Sequence, residues 1–447
     1  MRVCVLGLWH LGSVTSACLA SVGHEVVGLD FEKETIRLLQ AGEPPVYEPG
    51  LKELIEAGFA QGRLAFTSDA ETAVRDVDVL WVTYDTPVDD ADEADVGYVV
   101  DRIGRMFPMI EPRALVLISS QVPVGTTRRL EHAFHTFRRS SGLPEAPVGF
   151  AYSPENLRLG KAIEAFLHPD RVVVGCRTAS DRAVLQALLQ PFTDRIVWMS
   201  VESAEMTKHA INAFLATSVA FTNELAGLCE AVGANAREVE DGLRSESRIG
   251  PKAYLTPGAA YAGGTLARDI GFLKNLGAEH GIPTHLLSGV KESNEVHKNW
   301  LRDKLRSYLG RLRARRIGIW GLTYKPGTDT LRRSGSIELC RWLIDEGASV
   351  QAHDPAISQL PSDLRGVMQL ASSPLEAASG AEALIVATEW PEFQSIDAAS
   401  LIVSMAGERI VLDPNGFLAD TLGKTDRLRY ISVGGPAGQP VEGDGSR

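Results

Sequence analysis

Basic charge is in short supply: 45 Lys and Arg stand against 57 Asp and Glu in 447 residues, a formal net charge of −12. That balance excludes a broad nucleic-acid surface and an electrostatic membrane anchor, so an anionic ligand has to be held by local donors. Cysteine is scarce too. The five (Cys4, Cys18, Cys176, Cys229, Cys340) are odd in number and scattered, with no pair at the spacing of a metal site or redox motif, which suits a reducing compartment. No apolar run approaches a membrane span, and the opening MRVCVLGLWHLG has no signal-peptide core but moves straight into a strand and turn. A cytoplasmic location is the expectation. His10, His209 and His353 have no carboxylate or cysteine at metal-like spacing, so no metal site is expected.

What is present is a soluble globular composition, 44% hydrophobic and 23% charged, at a length that calls for two to three domains. The most informative feature is an internal echo. Arg2-Val-Cys-Val-Leu-Gly-Leu8 is matched by Arg316-Ile-Gly-Ile-Trp-Gly-Leu322, each a short apolar run ending in Gly, as a buried parallel strand enters a tight turn. Gly23–Asp30 is matched by Gly347–Asp354, a second strand ending in an acid, and Val77–Thr83 by Ala381–Ala387. Three matches in one order predict two doubly wound α/β units at opposite ends of the chain. Between them, about Ser203 to Val232 has no Pro and apolar residues every three or four positions, which predicts one long helix; a second is predicted over Ala236–Arg244. The expected division is a Rossmann-like domain over 1–200, a helical region over 201–300, a second Rossmann-like domain over 301–433 and a Gly/Pro-rich disordered tail over 434–447.

Gly7-Leu-Trp-His-Leu-Gly12 follows a predicted strand and opens a helical stretch, and Asp30 ends the next strand. This is the context of a dinucleotide fingerprint: glycine for the turn, a helix start for pyrophosphate, an acid for the ribose. Asp30 repels a 2′-phosphate, which favours NAD over NADP. Trp9 stands where the second glycine belongs and restricts the approach of the pyrophosphate; the competing reading is a turn that only packs helix on strand. The C-terminal copy, Gly321-Leu-Thr-Tyr-Lys-Pro-Gly327, has no such glycine spacing and reads as a unit turned to another ligand, with Lys325 available for a phosphate.

Ordered motifs run along nearly the whole chain: GEPPVYEPGLKEL (42–54), VPVGTT (122–127), SPENL (153–157), PDRVVVG (169–175), AEMTKHAINAFLAT (204–217), RIGPK (248–252), GLTYKPGTDTLRRS (321–334) and TEWPEF (388–393). Together they resemble the UDP-glucose/GDP-mannose dehydrogenase family. The resemblance implies an N-terminal NAD domain, a central helical dimerisation region and hence a homodimer, a C-terminal domain gripping the nucleotide, and an active site in the cleft between the domains. It places Gly7, Leu11, Gly12, Asp30, Thr86, Gln121 and Arg332 with the NAD cofactor. Asn156, Leu157, Arg248, Lys252, Tyr254, Gly263 and Lys325 fall with the nucleotide sugar; for Tyr254, as for Tyr261, core packing is an equal reading.

Family members oxidise a sugar C6 alcohol to a carboxylate with two NAD, through a cysteine thiohemiacetal and thioester. Lys208 and Asn212, four apart on the long helix, match the pair that holds the oxyanion; Asp269 matches the acid that orients water; Glu155 matches the base of thioester hydrolysis, or else is a turn residue. The departure is at the nucleophile. Where the family has Gly-Phe-Gly-Gly-Ser-Cys-Phe-Pro-Lys-Asp, residues 260–269 read Ala-Tyr-Ala-Gly-Gly-Thr-Leu-Ala-Arg-Asp, so Thr265 occupies the cysteine position. A thiol with a pKa of about 8.5 yields some thiolate at neutral pH and a threonine hydroxyl does not. Gln121, Asn156, Leu159 and Ala267 also replace the family's Thr, Phe, Glu and Pro. Three outcomes stay open: two-electron oxidation that releases a carbonyl product, four-electron oxidation through an aldehyde hydrate, and a catalytically silent sugar-nucleotide-binding or regulatory protein.

Overall fold

The computed structural model describes residues 1–89, 94–155, 157, 159–262 and 264–435. Its contacts divide the chain into a unit Met1–Ile211 and one beginning at Asn212.

The first unit is built on eight strands: β1 (Arg2–Leu6), β2 (Glu25–Leu29), β3 (Leu64–Thr67), β4 (Val79–Val82), β5 (Leu115–Ile118), β6 (Gly149–Tyr152), β7 (Val172–Gly175) and β8 (Ile196–Met199). Their order is β3-β2-β1-β4-β5-β6-β7-β8, parallel except where β6 meets β7. Strands such as Val79-Leu-Trp-Val82 and Leu115-Val-Leu-Ile118 are buried throughout, because side chains alternate between two covered faces. Leu6, Val82, Ile118 and Tyr152 enter one hydrophobic cluster, and Val5, Trp81, Leu117 and Ala151 the other. The strand order reverses at β1/β4, and a crevice opens there at the carboxyl ends of the strands.

The second unit repeats the design with β9 (Arg316–Trp320), β10 (Ser349–His353), β11 (Gln369–Leu370), β12 (Ala383–Val386), β13 (Ile410–Leu412) and β14 (Arg429–Ile431), in the order β11-β10-β9-β12-β13-β14. The fold is therefore α/β with two Rossmann-like sheets. The repeat read from sequence maps strand for strand: β1, β2 and β4 correspond to β9, β10 and β12, in the same spatial order.

One helix, Val201–Val232, runs across the boundary of the two units. It begins two residues before the apolar periodicity does, because Ser200 Oγ accepts the Ser203 N–H at 3.2 Å and caps its start. The second helix covers Ala236–Ser245.

The long helix also completes another. Helix Thr126–Ser140 starts from Gly125 in the left-handed region (φ 86°) with no side-chain cap of its own. Glu205 supplies what is missing: its carboxylate accepts from Gly125 N at 2.5 Å, Thr127 N at 2.9 Å and Thr127 Oγ1 at 2.7 Å, fully buried. Next to it, the buried His209 ring nitrogen Nε2 lies 3.0 Å from the Val122 carbonyl. Glu205→Ala leaves three donors unsatisfied and is expected to cost roughly 3 kcal/mol or more in urea unfolding; Glu205→Gln, which retains an acceptor oxygen, is expected to cost less.

Candidate active site

At the crevice of the first unit, Gly7 takes φ +97°, and a Cβ on it would stand 2.6 Å from the Tyr84 ring. A Cβ on Gly12 would stand 1.8 Å from the Gly7 carbonyl oxygen, so only glycine lets the first helix pack this close to the turn. That helix, His10–Ser21, has Trp9 at its N-cap with no side-chain cap, and its first backbone bond is Ser13 N to Trp9 O. The N–H groups of His10, Leu11 and Gly12 therefore have no acceptor among the described residues, the arrangement that takes an anion. The Trp9 side chain is 53% exposed, turned to solvent rather than folded into the turn.

Asp30 is buried beside this turn, accepting from Leu8 N at 2.7 Å and Glu32 N at 3.0 Å. Thr86 Oγ1 donates to the Gln121 carbonyl at 2.5 Å and joins the loops after β4 and β5. A contributor missed in the sequence is Tyr84. Its hydroxyl is buried with no partner among the described residues, and burial holds the phenol well above its ordinary pKa, so it remains a donor. An uncapped helix start, a glycine turn that admits no side chain, an acid at the next strand end and an orphaned hydroxyl fit a dinucleotide.

The second unit keeps the same turn but fills it differently. Gly321 has φ +91°, and Asp354 stands where Asp30 stands in the first copy. Asp354 accepts from Leu322 N (2.6 Å), Thr323 N (3.0 Å), Thr323 Oγ1 (3.1 Å), Trp390 Nε1 (3.1 Å) and Ala356 N (2.9 Å). Those donors occupy the oxygens a ribose would need, and Trp390 comes from the TEWPEF stretch.

Among the residues expected to be catalytic, Lys208 and Glu155 come together in the first unit. The buried Lys208 Nζ donates to the Glu155 carbonyl at 2.6 Å and lies 3.4 Å from its Oε1, while Glu155 Oε2 accepts from Leu157 N at 2.7 Å. In the second unit, Asn212 Nδ2 donates to Asp269 Oδ2 in a short bond, both side chains buried. Thr265 is exposed as the first residue of helix Thr265–Glu279, directly after Gly264 at φ +108°, with no hydrogen bond to a base among the described residues. No thiol takes its place: Cys4, Cys18, Cys229 and Cys340 are buried, and burial pushes Cys18 and Cys340 up to about 12. Cys176, half-buried, is also raised.

The residues expected at the sugar nucleotide, and the cofactor candidate Arg332, are more dispersed. Arg248 is exposed and pairs with Glu246 at 3.0 Å; Lys252 and Tyr254 are exposed on the same loop; Lys325 is half-buried and Arg332 exposed on the loop after β9. Asn156 and Gly263 lie outside the described residues.

Family models match the chain in three consecutive blocks of the UDP-glucose/GDP-mannose dehydrogenase family: the NAD binding domain over residues 1–193, the central domain over 202–296 and the UDP binding domain over 318–420. The chain belongs to the UDP-glucose/GDP-mannose dehydrogenase family. This family member is 34% identical to a UDP-glucose 6-dehydrogenase of Rhizobium meliloti over 98% of its own length and 100% of the relative's. It is 33% identical to one of Pseudomonas aeruginosa, with 91% of each chain covered. It superposes on a UDP-glucose dehydrogenase structure from Pyrobaculum islandicum with TM-score 0.85 at 29% identity, covering 97% and 98% of the two chains. It is thus a nucleotide-sugar dehydrogenase homologue with an NAD-binding domain.

Gly12→Ala is expected to weaken NAD binding at least about ten-fold in calorimetric titration, since the added methyl must push the helix start away from the Gly7 carbonyl.

Proposed function

We propose that this family member oxidises the hydroxymethyl carbon of a nucleotide sugar, UDP-glucose or a close analogue, and releases the aldehyde after a single two-electron step. UDP-glucose is the substrate in the names of its relatives. The observation that carries the aldehyde outcome is Thr265: an exposed hydroxyl at a helix start, with no base bonded to it among the described residues and every cysteine of the chain raised or buried. Without a thiolate there is no thioester stage, and covalent capture fails.

We read the chain as an NAD unit over 1–200, a dimerising helical region over 201–300 and a nucleotide-sugar unit over 301–433, working in the cytoplasm. NAD, when bound, supplies the hydride acceptor. Lys208 Nζ, released from Glu155, and Asn212 Nδ2, one helical turn further on, donate to the substrate oxygen and stabilise its negative charge as the C–H bond breaks. The hydroxyl proton passes to the Glu155 carboxylate, so an alcohol and oxidised cofactor become an aldehyde, reduced cofactor and one proton. Asp269 holds Asn212 in register. Gly7, Leu11, Gly12, Asp30, Thr86, Gln121 and Arg332 serve the cofactor; Asn156, Leu157, Arg248, Lys252, Tyr254, Gly263 and Lys325 serve the sugar nucleotide, the cations meeting its phosphates.

NADH counted per sugar consumed is expected to be one, with a hydrazide-trappable aldehyde. Thr265→Cys is expected to raise the count toward two. Two NADH from the natural sequence would assign the hydrate route, and none with any UDP- or GDP-sugar would leave a binding protein.

We further propose a homodimer through the long helix. Phe214, Phe221, Leu228 and Val232 are exposed on it at spacings of seven, seven and four, an apolar stripe that a second copy would cover. Phe221→Glu combined with Leu228→Glu is expected to halve the mass seen by light scattering.

A further inference from the structure

The stretch GEPPVYEPGLKEL (42–54) has no part in the reaction just described, yet it sends a carboxylate into the interior of the first unit. Glu48 is buried, and both of its oxygens are engaged. Oε2 accepts from Gly160 N at 2.7 Å and stands 2.9 Å from His10 Nε2; Oε1 accepts from Ala162 N at 2.8 Å. The partners belong to two segments with separate tasks. His10 is the first residue of helix His10–Ser21, where the unpaired N–H groups await a pyrophosphate. Gly160 and Ala162 end the stretch that starts at Ser153 and carries Glu155, the residue on which Lys208 rests. Glu48 itself lies between them in sequence, more than a hundred residues from Gly160 and Ala162.

Each bond of this bridge ends on the buried Glu48 carboxylate and is charge-assisted, and the one to Ala162 N is fully buried, where the loss of such a bond is costly. The two backbone N–H groups pin one loop to the carboxylate, and the imidazole pins the carboxylate to the cofactor turn. A displacement of the helix start by a bound anion is therefore carried through one side chain into the loop behind Glu155.

We infer that His10 and Glu48 are positioning residues that couple occupancy of the dinucleotide turn to the placement of the Ser153–Ala162 segment, and so of Glu155. The inference rests on the turn binding NAD and is independent of which sugar is oxidised or how far. Linkage makes the coupling reciprocal: whatever orders the loop tightens the cofactor by the same factor.

The test is hydrogen exchange of the full chain, with and without saturating NAD, followed at the amides of Gly160 and Ala162, with calorimetric NAD affinities alongside. In the natural sequence NAD is expected to slow these amides by about five-fold or more. In His10→Ala the slowing is expected to vanish while NAD still binds, more weakly. His10→Gln, which keeps an N–H donor for Glu48, is expected to restore both. The comparison is made within each variant, so a general loss of stability speeds exchange in both arms and cancels. Slowing that persists in His10→Ala, slowing absent from the natural sequence with NAD bound, or His10→Gln as defective as His10→Ala would each overturn the coupling. An outcome in which exchange behaves as expected but no sugar is oxidised would leave this inference standing and overturn only the proposed reaction.

Discussion

Loops that leave a parallel sheet at its carboxyl edge must present backbone N–H groups, because the helices that follow begin with donors no residue of the same helix can accept. In this protein the acceptors are buried carboxylates sent from elsewhere in the chain. Asp30 takes Leu8 N; Glu48 takes Gly160 and Ala162; Glu205 takes Gly125 and Thr127; Asp354 takes Leu322 and Thr323. Remove this pattern and the crevice loops lose their shape, since backbone groups buried without partners are costly. The start of helix His10–Ser21 receives no such carboxylate, and its first N–H groups have no acceptor among the described residues.

The same pattern decides what could be read from sequence. Strand positions were legible because burial on two faces imposes runs such as Val79–Val82 and Leu115–Ile118, and the repeat was legible because the runs recur in order. Lys208, Asn212 and Asp269 were singled out through motif resemblance alone, and the structure adds their partners: Lys208 with Glu155, and Asn212 with Asp269. The bridging roles of Glu48 and Glu205 left no periodic trace, because their partners are far off in sequence: 38 residues for His10, and about eighty or more for the backbone donors. A signal was present for Glu205: the helix after VPVGTT opens on glycine with no acid or hydroxyl cap ahead of it, and such a helix needs an acceptor from outside. For Tyr84 there was none; its position after β4 reads as any core aromatic until its hydroxyl is found without a partner.

Thr265 bears on how Asp269 and Glu155 are read. In a cysteine enzyme the carboxylates near the nucleophile manage water for thioester hydrolysis. With a hydroxyl in that place, Asp269 remains fully buried against Asn212, and Glu155 remains tied to Lys208 and Leu157 N. Each carboxylate thus engages one nitrogen of the long helix, Glu155 the Lys208 amine and Asp269 the Asn212 amide.

The two Rossmann-like copies differ at the acid that follows their second strand. Asp30 has two protein donors and Asp354 has five, one of them an indole. Grafting the N-terminal glycine spacing into the C-terminal copy would therefore not engineer a second cofactor pocket. The acid there is already saturated, and Trp390 and the Thr323 hydroxyl would first have to be cut away, at the expense of the turn they keep closed.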